Sequence, residues 1–299
     1  MTTLQYLQQN SSVYLATVFF MGLIFGSFFN VVIYRLPIML KRQWLKMSKD
    51  YLQEEGFKVS GDAKDEVLDE NTRFTLSHPS SSCPKCQHKI RAWENIPLLS
   101  YLFLKGKCSS CKTRISIRYP LVELLTAIVF LVVAYHYPPS WQALALLFFS
   151  SFLIILSGID IDHQLLPDPL VYILLWSGLA AAVAGLTISP VDALIGALAG
   201  YLSLWTIFWL FKLLTGKEGM GYGDFKLLAA LGAWLGWKFL LPLIVIASIL
   251  GAVVGGLSML IFKAGNKIPF GPYLAASGWI MLLWGQQIIN AYLKWAHLA

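Results

Sequence analysis

Long apolar stretches recur along most of this chain, and most of them are about as long as a helix that crosses a membrane. They lie at about 12–36, 119–137, 141–158, 169–187, 191–213, 226–237, 239–262 and 272–293. A spanning helix needs roughly 20 apolar residues, so the sixth stretch is too short to cross comfortably. The sequence therefore predicts an all-α polytopic membrane protein with about eight transmembrane segments.

The charged residues are few and unevenly placed. Only 13% of the chain is charged, against about 25% for a soluble globular protein. Most of the Lys and Arg residues fall between Lys41 and Arg118. This distribution predicts three regions, namely a first transmembrane helix at 1–36, a polar insert at 37–118 and a transmembrane domain at 119–299.

The same charges predict the orientation and argue against nucleic acid as a partner. Loops rich in Lys and Arg stay on the cytoplasmic side, so we expect the insert to be cytoplasmic, beside anionic lipid. Acidic residues interrupt the basic ones throughout the insert and leave no clean basic stripe. Residues 1–10 contain no Lys or Arg, so the first apolar run is interpreted as a retained helix and not as a cleaved signal.

All four cysteines lie in the insert as two Cys-x-x-Cys pairs, Cys83 with Cys86 and Cys108 with Cys111. Two such pairs can direct four sulfurs at one ion, and their separation is close to that of zinc ribbons. The alternatives are two disulfides or four free thiols. Disulfides are unfavourable in a cytoplasmic loop. The pattern predicts a structural zinc site, because four thiolates leave no position for a reacting water.

The acidic residues outside the insert are candidates for chemistry, because ionisable groups at membrane depth are costly. Asp160 and Asp162 are about 200° apart on a helix, so only one of them can face a given partner. Asp224 follows the glycine-rich run Gly219–Gly223, which predicts close approach of the backbone, although Asp224 could instead cap the next helix. Asp168, before Pro169, is predicted to be an N-cap.

Two further acids have open or structural interpretations. Asp192 lies near the predicted start of a helix, where the helix dipole favours an acid. Glu123 is either a satisfied residue of the helix bundle or an orienting group.

Several motifs together resemble the type IV prepilin peptidase family. They comprise Gly26–Pro37, the paired Cys-x-x-Cys insert, Asp160–Asp168, the Gly-x-Gly-Asp element Gly221–Asp224, and Pro269–Leu274. They occur in the family's order and span most of the chain.

The resemblance implies an aspartyl endopeptidase of the bacterial inner membrane, with Asp160 and Asp224 as the catalytic pair at the cytoplasmic face. Gly221 and Gly223 would form the active-site loop. The implied substrates are prepilins and pseudopilins, cut between a short basic leader and a hydrophobic helix. Many members then methylate the new amino terminus with S-adenosylmethionine, an activity associated with the cysteine-bearing insert. Glu66 and Glu70 are candidates to attract the basic leader.

Two other classes of function remain open at this point. A proton-coupled transporter would also place carboxylates near helix ends, although the large insert and the lack of a repeat argue against it. A non-catalytic scaffold for a secretion system is the second alternative. Cleavage of a purified prepilin would distinguish the peptidase from both.

Overall fold

The computed structural model describes residues 3–57, 73–217, 219–262 and 269–296. The proposed leader-attracting residues Glu66 and Glu70 lie outside these ranges. Within them the structure is helical, with two isolated β-bridges and no longer strand. The α-helices in chain order are α1 (Thr3–Gln9), α2 (Ser11–Glu54), α3 (Leu99–Phe103), α4 (Arg118–His136), α5 (Trp141–His163), α6 (Asp168–Val183), α7 (Pro190–Thr215), α8 (Tyr222–Leu235), α9 (Leu240–Phe262) and α10 (Gly271–Trp295).

The predicted fold class is confirmed, because each predicted apolar segment coincides with one of these helices. Within the described ranges, five helical segments are long and apolar enough to cross a membrane, namely α2, α4, α5, α7 and the segment Trp237–Leu257. Helices α6 and α8 have only 16 and 14 residues. The short α8 corresponds to the stretch that the sequence marked as too short to span.

The first long helix runs further than the sequence predicted. A helix ending near residue 36 was expected, but α2 continues through Pro37 to Glu54. Proline removes one backbone hydrogen bond and usually kinks or breaks a helix. Residues 38–54, however, are mostly Leu, Met, Lys, Arg, Gln and Glu, which favour helix strongly enough to continue it. The polar insert therefore begins as a helix.

The chain forms two compact units, one of Ala16–Leu131 and one of Met1–Leu15 with Val132–Ala299. In the first unit, α2 packs tightly on α4 through Gly22 and Gly26. A Cβ added at Gly22 would lie 2.6 Å from the Cα of Ala127, and one at Gly26 would lie 2.6 Å from the Cα of Glu123. Small residues four apart allow such close approach of two membrane helices.

Helix α8 forms the core of the second unit. It is buried almost without interruption from Asp224 to Leu235, as expected of a helix that is apolar on all sides. Gly232 of α8 meets Gly196 of α7 backbone to backbone. The Trp234 indole N–H donates to the Leu174 carbonyl of α6 at 2.8 Å. The start of this central helix carries Asp224, so the core holds the candidate site in place.

Candidate active site and metal centre

The two predicted aspartates come together in the second unit. Asp160 lies in the last turn of α5 and is 5% exposed, and Asp224 lies in the first turn of α8 and is 8% exposed. Their carboxylates lie close enough for each negative charge to repel the other. Helix α5 ends just beyond Asp160, at Gln164 in the left-handed conformation (φ 49°). The end of one helix and the start of another therefore bring two buried acids to one place.

Asp160 is held by the start of α10. The Gly271 backbone N–H donates to Asp160 Oδ2 at 3.0 Å. A Cβ at position 271 would lie 2.6 Å from that oxygen and 3.2 Å from the Asp160 Cγ, so only glycine fits without displacement. The Pro-Phe-Gly-Pro run therefore both starts α10 and contacts the candidate site. Sequence reasoning singled out this run but did not identify Gly271 as a partner of Asp160.

Asp224 contacts the start of its own helix. Its backbone N–H donates to the Gly221 carbonyl at 3.2 Å. The capping role considered from sequence is wrong, because Gly221 occupies the N-cap of α8 and no side-chain capping bond forms. Gly221 has φ −80° and ψ 146°, a conformation open to any residue. Its lack of a side chain is therefore not required by the backbone.

Leu166 packs between the two parts of the site. A Cβ at Gly223 would lie 2.9 Å from the Leu166 Cβ, and a Cβ at Gly271 would lie 3.2 Å from the Leu166 Cδ2. Leu166 is itself buried. Leu166 therefore occupies space that a side chain at position 223 or 271 would enter, so glycines at both positions let α8 and α10 lie close to it.

The other acids take different positions. Asp162 is exposed, as expected two residues along a helix from buried Asp160. The predicted N-cap role of Asp168 is wrong, because Pro167 occupies the cap and no side-chain capping bond forms. Asp168 instead binds Lys226 Nζ through both carboxylate oxygens at 2.7 Å. This pair links the start of α6 to α8, two residues beyond Asp224.

Asp192 has the structural role that its position predicted. Its N–H donates to the Ser189 hydroxyl at 3.1 Å, and that hydroxyl donates back to Asp192 Oδ2 at 2.8 Å. The Trp237 indole N–H donates to Asp192 Oδ1 at 3.1 Å. This acid is therefore part of a helix start.

The four cysteines form one cluster in the first unit. Their sulfurs all lie within 4.8 Å of one another, with Cys83 Sγ 3.7 Å from Cys111 Sγ and Cys86 Sγ 3.9 Å from Cys108 Sγ. A tetrahedral zinc with bonds of about 2.3 Å separates its sulfur ligands by about 3.8 Å. The thiols are not joined as disulfides. The donor set and its spacing fit a zinc ion.

Two equivalent turns produce this arrangement. The Cys83 N–H donates to the His88 carbonyl, and the Cys108 N–H donates to the Thr113 carbonyl, at 2.9 and 2.8 Å. Each turn is closed by one of the two β-bridges. The repeated turn places two sulfurs on the same side of each loop.

His88 pairs with an acid. Its Nε2 lies 3.2 Å from Glu94 Oε2, which also accepts the Arg91 backbone N–H at 2.8 Å. The hydrogen bond from Arg91, followed by one from the Ser109 hydroxyl and the contact with His88, lowers the pKa of Glu94 to about 2. Glu94 therefore ties together residues next to both cysteine turns.

Known proteins match the chain along almost its whole length. Residues 20–137 match the Bacterial Peptidase A24 N-terminal domain, and residues 147–256 match the Type IV leader peptidase family. A protein of Stutzerimonas stutzeri is 51% identical over 300 residues, covering 100% of both chains. One of Pseudomonas aeruginosa is 51% identical over 99% of both chains, and one of Neisseria gonorrhoeae is 47% identical over 92% of both.

The chain belongs to the type IV leader peptidase family. The three relatives are each called prepilin leader peptidase/N-methyltransferase. No solved structure matches the chain. The family named from the motifs is therefore confirmed. Both buried aspartates lie within residues 147–256, the region that matches the leader peptidase family.

Proposed function

We propose that this protein removes the leader from prepilins and pseudopilins and then methylates the new amino terminus. The observation that carries the peptidase activity is the buried pair Asp160 and Asp224, whose carboxylates lie close enough to repel each other when both are charged. Like charges held close do not both ionise easily, so the pair shares one proton. A carboxylate and a carboxylic acid side by side form the acid–base pair that peptide hydrolysis needs.

The chemistry of this pair follows from its shared proton. The ionised carboxylate accepts a proton from water as the water oxygen attacks the scissile carbonyl carbon, and the carboxylic acid protonates the carbonyl oxygen. The tetrahedral intermediate then collapses, the C–N bond breaks, and the departing amine takes up a proton. The products are the leader's carboxylate and the new amino terminus of the pilin.

The second activity is supported by the relatives. Their shared name couples leader removal to N-methylation, which implies S-adenosylmethionine as the methyl donor. The chain carries the whole matched N-terminal domain over 20–137. We assign the transferase to the region at 37–118 and the peptidase to 119–299.

Zinc bound by the four cysteines would serve structure. Four thiolates close the coordination sphere, so the ion would hold the two turns together without binding a substrate. We place the protein in the bacterial inner membrane with its candidate site at the cytoplasmic face, because the basic insert favours the cytoplasm. A substrate with a basic leader and an apolar helix presents its junction at the same interface.

The decisive experiment uses purified full-length protein in detergent with a purified prepilin, followed by mass spectrometry of the products. Asn at Asp160 or at Asp224 should reduce cleavage by about a thousandfold or more, because the amide cannot exchange a proton with water. Glu at either position should cost roughly a hundredfold, because the added methylene displaces the carboxylate by about 1 Å. Asp162→Asn, two residues along the same helix and exposed, is the matched control.

The outcomes separate the possible functions. Near wild-type cleavage by Asp160→Asn would show that the first aspartate is misassigned and would make Asp162 the next candidate. The same result for Asp224→Asn would refute an aspartyl protease. A transporter or a scaffold predicts no cleavage by the wild-type protein.

A further inference from the structure

A buried acid in the first unit has no part in the peptidase chemistry. Glu123, in the second turn of α4, is 8% exposed. Its Oε2 accepts the Leu98 backbone N–H at 2.8 Å, and its carboxylate also accepts the Ser27 hydroxyl. In the described part of the chain, both groups that hydrogen-bond to it are uncharged.

These contacts supply hydrogen bonds to Glu123 but no positive charge that would stabilise its ionised form. A glutamine carbonyl oxygen accepts N–H and O–H donors equally well and is far cheaper to bury than a carboxylate. Ionising a buried carboxyl group without a charged partner is costly, and such a group is a candidate for a site where a ligand supplies the opposite charge. Packing and hydrogen bonding therefore do not explain why position 123 carries a carboxyl group and not an amide.

The surroundings are polar and connected to the cysteine-bearing insert. Leu98 lies between the two cysteine pairs and has φ 58° and ψ −48°, a sparsely populated conformation for a residue with a side chain. One turn along α2 from Gly26, the buried Asn30 amide donates to the Gly26 and Tyr119 carbonyls at 3.2 and 3.1 Å. Glu123 thus contacts polar groups of both α2 and the insert, through Ser27 and Leu98.

We propose that Glu123, which lies five residues beyond the insert at 37–118 and contacts it through the Leu98 N–H, is the anionic group that binds a cation during methyl transfer. This inference rests on the proposed methylation. The reaction offers two cations, the sulfonium of S-adenosylmethionine and the ammonium of the new pilin amino terminus. The ammonium must first release a proton, for which a carboxylate or solvent is the acceptor. The amine nitrogen then attacks the methyl carbon, the N–C bond forms, the C–S bond breaks, and the sulfur leaves as a neutral thioether. A second proton leaves the methylated nitrogen when it returns to the neutral amine.

The test compares Glu123→Gln with wild-type full-length protein. Calorimetry measures the binding of S-adenosylmethionine and of S-adenosylhomocysteine, which lacks the positive charge on sulfur. If Glu123 faces the sulfonium, affinity for the first should fall about tenfold while affinity for the second stays unchanged. If Glu123 faces the ammonium, both affinities should persist and the KM for the cleaved pilin in methylation should rise about tenfold. Either result supports the inference.

Two further variants separate charge from structure. Glu123→Asp keeps the charge and should retain part of the preference for the sulfonium compound. Thr126→Val is the control, because it removes a buried hydroxyl from α4 without changing charge. We expect it to leave both affinities and the KM unchanged.

Three results would overturn the inference. One is a Glu123→Gln protein with wild-type affinities and wild-type KM. Another is equal loss of both compounds together with loss of leader cleavage, which would make Glu123 a purely structural residue. The third is a wild-type protein that binds neither compound and methylates no pilin, which would refute the proposed methylation and this inference with it. Leader cleavage tests the proposed peptidase activity separately.

Discussion

Gly271 offers a direct test of how the candidate site is held, because its contact with Asp160 leaves no room for a methyl group. In Gly271→Ala, the new Cβ would lie 2.6 Å from Asp160 Oδ2 and 3.2 Å from the Leu166 Cδ2. Ordinary contacts begin at about 3.4 Å, so the carboxylate must move by roughly 0.8 Å. A misplacement of about 1 Å costs on the order of a hundredfold in rate. We therefore expect kcat for prepilin cleavage to fall by about that factor.

Glycines on other elements provide matched controls. A Cβ at Gly221 would lie 3.6 Å from Asp224 Oδ2, an ordinary contact, whereas one at Gly223 would lie 2.9 Å from the Leu166 Cβ. Gly221→Ala should therefore stay within a few-fold of wild type, and Gly223→Ala should be intermediate. Gly256→Ala on α9, with no described atom within 4 Å of its added Cβ, controls for replacing a helical glycine.

The assay is initial-rate cleavage in detergent, with expression and thermal unfolding measured for each variant. Wild-type kcat in Gly271→Ala would refute the idea that this glycine sets the position of Asp160. A larger loss in Gly221→Ala than in Gly271→Ala would also contradict the steric argument.

Three other perturbations test separate parts of the molecule. Purified protein should contain about one zinc per chain, and Ser at Cys83 and Cys108 should release it; metal retained by a variant with all four cysteines replaced would rule the site out. Gly106 has φ +65°, a backbone conformation that residues with a side chain rarely adopt. Gly106→Ala should therefore reduce methylation more than cleavage, both measured by mass spectrometry. Equal loss of both activities would argue against separate regions for the transferase and the peptidase. Asp168→Asn removes the half-exposed ion pair with Lys226. Such pairs contribute about 0–1 kcal/mol, so cleavage should fall only a few-fold. Complete loss of cleavage would show that the pair is essential at the site.

Local sequence features determined much of this protein. Helices were predictable from apolar length, because backbone polar groups in lipid must be satisfied within the segment. The zinc-type cluster was predictable from two Cys-x-x-Cys pairs, because two intervening residues permit only a tight turn. The motifs identified Asp160 and Asp224. Because two residues along a helix is a rotation of about 200°, the sequence also correctly implied that only one of Asp160 and Asp162 could be buried beside Asp224.

Contacts between distant residues were decided only by the tertiary structure. The Gly271 N–H that holds Asp160 is 111 residues away along the chain, and no local pattern specifies that pairing. The partner of Asp168 is likewise on another helix, which is why a local N-cap was the wrong prediction. Apolar periodicity shows that a helix is buried, but not which helix it meets, because any apolar face can pack against any other. Helices α5, α8 and α10 meet instead where glycines allow their backbones to approach closely. Which glycines lie at such contacts is decided by the packing of the whole chain.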